Sequence, residues 1–228
     1  MKLGSLISGG KDSIYSIFSA ERGNHEVVTL LGIKSHNPDS WMFHTQNIDL
    51  IELQAEAMKK PIIVNESKGE KEKELEDLEK LIEKSISQHG IEGILVGAIE
   101  SSYQRERVEK VCDKLGIELV APLWKTDHEE YMDKLIENDF KVMITKVAAQ
   151  GFDKEWLGRF INPESLSELK DLKEKYRIHL AGEGGEYETL VLDCPLFKDK
   201  IEIKSSEVIW ERNSGELNVS EAALVSKN

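Results

Sequence analysis

The residues Ser8-Gly9-Gly10-Lys11-Asp12-Ser13 follow directly on the apolar stretch Leu3 to Ile7. A glycine pair lets the backbone turn sharply and expose its N–H groups. A helix starting there adds the positive end of its dipole, so the segment suits an anion such as a phosphate. Ile14, Ile17 and Phe18 give that helix its apolar face. In this reading the amides of Gly9 and Gly10 hold phosphate oxygens, the Ser8 and Ser13 hydroxyls donate to them, and Lys11 supplies a point charge. Asp12 sits badly beside a polyphosphate unless a cation or a backbone donor intervenes. It is therefore a candidate Mg2+ ligand or a helix-cap group. The spacing matches neither G-x-x-x-x-G-K-[ST] nor G-x-G-x-x-G. An ordinary glycine-rich turn from strand to helix is the plainer alternative.

Two further clusters carry reactive side chains. Gly97 to Arg107 reads G-A-I-E-S-S-Y-Q-R-E-R, from a strand end into a helix start. Gly97 permits close approach of a ligand to the backbone. Ser101 or Ser102 can cap the helix, and Arg105 and Arg107 can meet phosphate or carboxylate. A capped, solvent-facing helix is the plainer reading. Gly182 to Thr189 reads G-E-G-G-E-Y-E-T, three glycines and three carboxylates in a stretch poor for helix or buried strand. Glu183, Glu186 and Glu188 there could serve as acid, base or metal ligand, or decorate a polar hairpin turn. Trp41 or Phe43, in the stretch with His44, could stack on a base or pack in a core. The six histidines show no metal-ligand spacing.

The elements that must position these residues alternate regularly at first. Val27 to Ile33, Pro61 to Val64, Gly93 to Ala98 and Ile117 to Ala121 read as further strands. Helices carry Ile48, Ile51, Ala55 and Met58, then Leu75, Leu78, Leu81, Ile82 and Ile86 within 70–88, then Val108, Val111, Cys112 and Leu115. Five β-α units imply an open, mostly parallel sheet with helices on both faces, binding ligands at the carboxyl ends of its strands. From about residue 125 the pattern becomes α+β: a helix over 127–138, a strand over Lys141 to Ala148, and a helix opened by Asn162-Pro163. Strands at Thr189 to Leu192 and Ile201 to Trp210 follow, with Ser214-Gly215 as a turn. The expected domains are 1–125 for nucleotide and 126–228 for substrate.

Composition narrows the function. The formal charge of −13 disfavours nucleic acid as the main partner. Two cysteines, Cys112 and Cys194, with no C-x-x-C, suit a reducing cytoplasm and argue against a thiolate zinc site or a paired-cysteine sulfur relay. No apolar run reaches membrane length and none resembles a leader, so a cytoplasmic protein without a membrane partner is expected.

The loop S-G-G-K-D-S resembles the pyrophosphate loop of the N-type ATP pyrophosphatases, which cleave ATP between its α and β phosphates. Within that group the chain resembles the diphthine–ammonia ligases. Four segments carry the likeness: Ser8 to Ser13, Met42-Phe43-His44-Thr45, Ser101 to Glu109, and Gly182 to Phe197, read G-E-G-G-E-Y-E-T-L-V-L-D-C-P-L-F. The resemblance implies an adenine-nucleotide α-hydrolase-like sheet, with ATP and Mg2+ as cofactors. It implies adenylation of the carboxylate of diphthine, a modified histidine on elongation factor 2, followed by attack of ammonium. Lys11, Glu183, Glu186 and Glu188 are then the catalytic candidates. Ser8, Gly9, Gly10, Lys11, Asp12, Ser13 and Gly97 would hold the nucleotide. Ser102, Tyr103, Gln104 and Arg105, with Gly184, Gly185, Tyr187 and Thr189, would contact the substrate. Another pyrophosphate-loop enzyme, such as a tRNA-modifying one, and a non-catalytic nucleotide-binding module are the alternatives. Oligomeric state is left open, with a homodimer among the options.

Overall fold

The computed structural model describes residues 1–37, 46–70 and 73–227. The chain divides into two compact units, Met1–Trp124 and Lys125–Asn228.

The first unit alternates strands and helices: β1 (Lys2–Leu6), α1 (Lys11–Arg22), β2 (Glu26–Ser35), α2 (Leu50–Met58), β3 (Ile62–Ser67), α3 (Lys73–His89), β4 (Gly93–Leu95), α4 (Ser102–Leu115) and β5 (Glu118–Val120). All neighbours pair in parallel, in the order β3-β2-β1-β4-β5. The chain therefore steps outward from β1 to β3, returns past β1, and steps outward again to β5. Right-handed crossovers in the two directions put α1 and α2 on one face and α3 and α4 on the other. The side chains follow. Leu78, Leu81 and Ile82 of α3 and Val108, Val111 and Cys112 of α4 form one core cluster with Leu31, Ile33, Ile63 and Ile94 of the sheet. Ile14, Ile17, Ile51, Ala55 and Met58 of α1 and α2 are buried outside that cluster. Because β1 and β4 are adjacent, the reversal of strand order falls between their carboxyl ends, where ligands bind in open α/β sheets. β4 is shorter than the apolar run Gly93 to Ala98 predicts. It ends at Leu95, and Val96 adds one last bond to the carbonyl of Val120.

The second unit contains α5 (His128–Glu137), β6 (Lys141–Val147), a 3-10 turn (Lys154–Trp156), α6 (Pro163–Tyr176), β7 (Tyr187–Asp193), β8 (Asp199–Glu211) and β9 (Ser214–Ser226). Its strands form an antiparallel sheet in the order β7-β6-β9-β8. Asn162 caps α6 through a reciprocal bond pair with Ser165, with Pro163 at the first helical turn. Tyr131, Met132 and Leu135 of α5, Leu166 and Leu169 of α6, and Val142, Ile144, Val147, Leu190 and Val191 of the sheet are buried.

The carboxyl-terminal hairpin corrects one expectation. Ser214-Gly215 is not the turn, because Ser214 already pairs with Glu211 and Gly215 with Trp210. The turn is Arg212-Asn213, with Arg212 left-handed at φ 54°. Gly215 serves the pairing instead, since a Cβ there would lie 2.4 Å from the Trp210 ring. No helix among the described residues is long and apolar enough to cross a membrane.

Candidate functional site

In the first unit, the loop between β1 and α1 is organised by its own hydroxyls. Ser13 Oγ donates to the carbonyl of Gly10 at 3.1 Å and accepts from the amide of Ser8 at 3.2 Å. The Ser8 and Ser13 hydroxyls lie 3.3 Å apart, and the Gly10 amide is 3.4 Å from Ser8 Oγ. Gly9 takes φ 85°, a left-handed conformation that suits glycine. α1 then begins at Lys11 with extended Gly10 as its N-cap and no side-chain cap. Asp12 is therefore not the capping side chain. It lies in the first turn, with Oδ2 3.0 Å from Lys11 Nζ. Lys11 is only 2% exposed, so its ammonium is held in place rather than swinging in solvent.

Gly97 lies against this loop. A Cβ on Gly97 would meet the backbone of Asp12 and Ser13 at 2.7 Å. The close approach it permits in the structure is thus that of the helix start. On the other side, Gln54 of α2 is fully buried and donates from Nε2 to the carbonyl of Gly9 at 2.9 Å. The sequence reading missed Gln54. Its signal is a polar residue among Ile51, Ala55 and Met58 on a buried helical face.

Ser101, rather than Ser102, caps α4, accepting from the Gln104 amide at 3.4 Å. Ser102 opens the helix. Arg105 is fixed twice, donating to Glu109 at 2.9 Å and lying 5.0 Å from the Trp124 ring centre. The Arg107 guanidinium lies 3.5 Å from the Tyr103 ring centre. Trp41, Phe43, His44 and the segment Met42 to Thr45 lie outside the described residues.

In the second unit, the glycine- and carboxylate-rich loop leads into β7. The Gly182 amide bonds to the carbonyl of His179, and the Gly185 amide to that of Gly182. Gly182 and Gly185 take φ 72° and 83°. His179 Nδ1 accepts from the amides of Ala181 and Glu183 at 3.2 and 3.4 Å. An imidazole nitrogen that accepts cannot carry the proton, so neutral His179 carries it on Nε2. Its ring centre lies 4.0 Å from that of His128. Sequence reading also missed His179, which stands just before the glycines.

Glu186 closes the loop. Its Oε1 accepts from the His179 amide at 2.7 Å, while Oε2 is buried and makes no hydrogen bond among the described residues. A Cβ on Gly184 would meet Oε1 at 2.7 Å, so the glycine makes room for the carboxylate. The Tyr187 hydroxyl donates to the carbonyl of Leu180 at 2.6 Å. Tyr187, Glu188 and Thr189 already belong to β7, where Glu188 pairs across to Lys146 at 3.3 Å and Thr189 faces Ile144 in the register. Of the three glutamates, Glu183 and Glu186 are therefore loop residues and Glu188 a strand residue. Gly184 and Gly185 are exposed.

Burial pushes both thiols, Cys112 and Cys194, up to about 12. Neither is a nucleophile at neutral pH.

Comparison with known proteins places the chain in a family. A family model described as the diphthamide synthase N-terminal domain matches residues 1–119, and one described as the C-terminal domain matches 127–225. Proteins named diphthine–ammonia ligase from Bos taurus and Homo sapiens are each 39% identical to the chain, over 92% of it and 85% of their own length. A longer relative of that name from Schizosaccharomyces pombe is 38% identical over 95% of this chain and 38% of its own. A solved structure described as a predicted subunit of tRNA methyltransferase from Methanocaldococcus jannaschii shares 15% identity over 86% of this chain and 98% of that one. It superposes with a TM-score of 0.42, too slight a likeness to carry an argument. With a matching family domain in each half and relatives at 39% identity along most of its length, the chain belongs to the diphthine–ammonia ligase family.

Proposed function

We propose that the chain amidates diphthine to diphthamide at the expense of ATP, with elongation factor 2 as the carrier of the modified histidine. The observation that carries the reading is the start of α1. There the buried Lys11 stands at a helix N-terminus that has no side-chain cap and follows a glycine turn. That arrangement favours a polyphosphate through charge, dipole and amide direction together. Asp12 fits as the single protein carboxylate of a Mg2+ site, since that ion takes most of its other oxygens from water and phosphate. When bound, Mg2+ would neutralise phosphate charge.

In the first step a carboxylate oxygen of diphthine attacks the α-phosphorus, the bond to the β-phosphate breaks, and pyrophosphate leaves. Lys11 holds the departing charge. In the second, the nitrogen of ammonia attacks the acyl carbon and the C–O bond to AMP breaks. Ammonium gives up two protons in all, one before attack and one as the amide forms. Glu183 and Glu186 are the proposed acceptors, and their charge also attracts the cation. Glu188, committed to Lys146, is proposed to orient β7 rather than to take a proton. Ser102, Tyr103, Gln104 and Arg105, with Gly184, Gly185, Tyr187 and Thr189, are proposed as substrate contacts. The fixed guanidinium of Arg105 suits an anionic group. The site of action follows the substrate, in the cytoplasm.

The test combines elongation factor 2 bearing diphthine with ATP, Mg2+ and labelled ammonium. One label enters the modified histidine for each AMP formed. ADP as the dominant product, or label absent from the protein, overturns the proposal.

A further inference from the structure

We infer that Gln54 is a positioning residue for the phosphate loop, holding the Gly9–Gly10 peptide in the orientation that presents its N–H to an anion; this rests on the phosphate-loop reading above. The peptide has a glycine on each side. Glycine moves easily between left- and right-handed conformations, so nothing local prevents that peptide from turning over. Turned over, it would offer a carbonyl oxygen to a phosphate in place of an amide. Gln54 opposes the rotation. Its Nε2 donates to Gly9 O at 2.9 Å, and the side chain is fully buried. The peptide is planar and trans, so fixing the carbonyl fixes the opposite direction of the Gly10 N–H. That N–H is 3.4 Å from Ser8 Oγ, at the weak end of hydrogen bonding, so a stronger acceptor can take it.

The packing explains how α2 reaches so far. Gly32 of β2 lies under Ile51, where a Cβ would sit 2.3 Å from the Ile51 side chain. The missing Cβ lets α2 settle against the strand. Gln54, one turn after Ile51, then projects along the same face to the end of β1. Together with Gly97 on the opposite flank, it grips the loop from both neighbouring strands.

Two variants test this, with inorganic pyrophosphate as the probe and calorimetry as the readout. Gln54→Met keeps the length and removes the donor. Loss of preorganisation lowers apparent affinity by the fraction of loops still competent, and a weakening of roughly tenfold to a hundredfold is expected, with folding retained. Gln54→Glu donates to Gly9 O only while its carboxyl is protonated, a form that burial favours. Its affinity, taken as a ratio to the unmodified protein at each pH, therefore recovers as pH falls from 8 to 6, while that of Gln54→Met stays flat. A role for Gln54 in packing alone predicts that Gln54→Met, of nearly the same length, binds pyrophosphate as the parent does. Pyrophosphate binding by Gln54→Met equal to the parent, or a Gln54→Glu affinity that stays below the parent even where its carboxyl is protonated, overturns the inference while leaving the phosphate loop intact. If the parent protein itself fails to bind pyrophosphate, the phosphate-loop reading falls and this inference with it. Should one variant fail to fold, the other still decides.

Discussion

The loop Ser8 to Ser13 adds grips from residues far away in the chain to its own hydroxyl bonds, whereas the side-chain hydrogen bonds described for the loop from His179 to Tyr187 run within it. In the first, Gln54 holds the Gly9 carbonyl and Gly97 receives the backbone of Asp12 and Ser13. In the second, His179, Gly182, Glu186 and Tyr187 bond to neighbours within a few residues. Sheet position accounts for the contrast. β1 is the centre of its sheet, so a loop at its end has another element on each side. β7 is an edge strand in the order β7-β6-β9-β8, and the loop before it has a neighbour strand on one side only. One bond to the residue that follows β6 is that of the Ala148 amide to the Glu186 carbonyl, at 2.8 Å. A central loop can be gripped from both sides as well as by its own hydroxyls, and an edge loop has a strand beside it on one side only.

The largest effect expected is at the self-tied loop. Glu186→Gln keeps an acceptor for the His179 amide and removes a charge. If Glu186 takes a proton in amide formation, the rate of label incorporation falls by about 10²–10⁴-fold while ATP binding is kept. An unchanged rate would leave Glu186 as a clasp alone. Next is Lys11→Ala, which removes one preorganised charge and raises the barrier to AMP formation by ~2–4 kcal/mol. Normal turnover in that variant would break the reading of the central loop.

Gly97→Ala addresses the external grip directly. Its Cβ has no room against the helix backbone, so α1 must shift, with ~1–3 kcal/mol lost from the N-terminal unit. Pyrophosphate affinity falls with it, though residue 97 is remote in sequence from the loop. Equal affinity would show that the loop stands alone, and the contrast would be lost. Tyr187→Phe is the smallest. It removes the buried bond to Leu180 and costs about 1 kcal/mol, seen as faster amide exchange at Ala181 to Glu183. Pyrophosphate binding is unchanged, since the loop it loosens is not Ser8 to Ser13.

The strand–loop–helix unit at the N-terminus and the helix faces were legible in the sequence, because they rest on local spacing. The parallel sheet was legible in kind, from the alternation of strands and helices. What was not legible is what depends on tertiary pairing. That β1 lies between β2 and β4, and so that Gly97 abuts Asp12, cannot be read from periodicity. Gln54 looked like one more polar residue on a helix, since its partner is a backbone atom elsewhere in the chain. Ser8 and Ser13 were legible as loop residues, but their mutual hydrogen bonds depend on how the loop closes. Arg212-Asn213 lost out to Ser214-Gly215 because glycine is the stronger turn signal. The glycine was needed for a different reason, the Trp210 ring that lies over it.

The meeting of Gly97 with the start of α1 bears on the order of events during synthesis. The residues Ser8 to Ser13 leave the ribosome before β4, yet the surface that seats them is completed only when β4 has formed and docked beside β1. Closing so long a loop costs chain entropy that no local contact returns. A nascent chain halted within α3 would carry the whole loop Ser8 to Ser13 and still lack one wall of its seat. Capture of nucleotide would then mark the moment when the return crossing from β3 to β4 is finished. Binding would serve as a clock for folding of the N-terminal unit, and its ligand would stabilise the sheet only after that crossing is made.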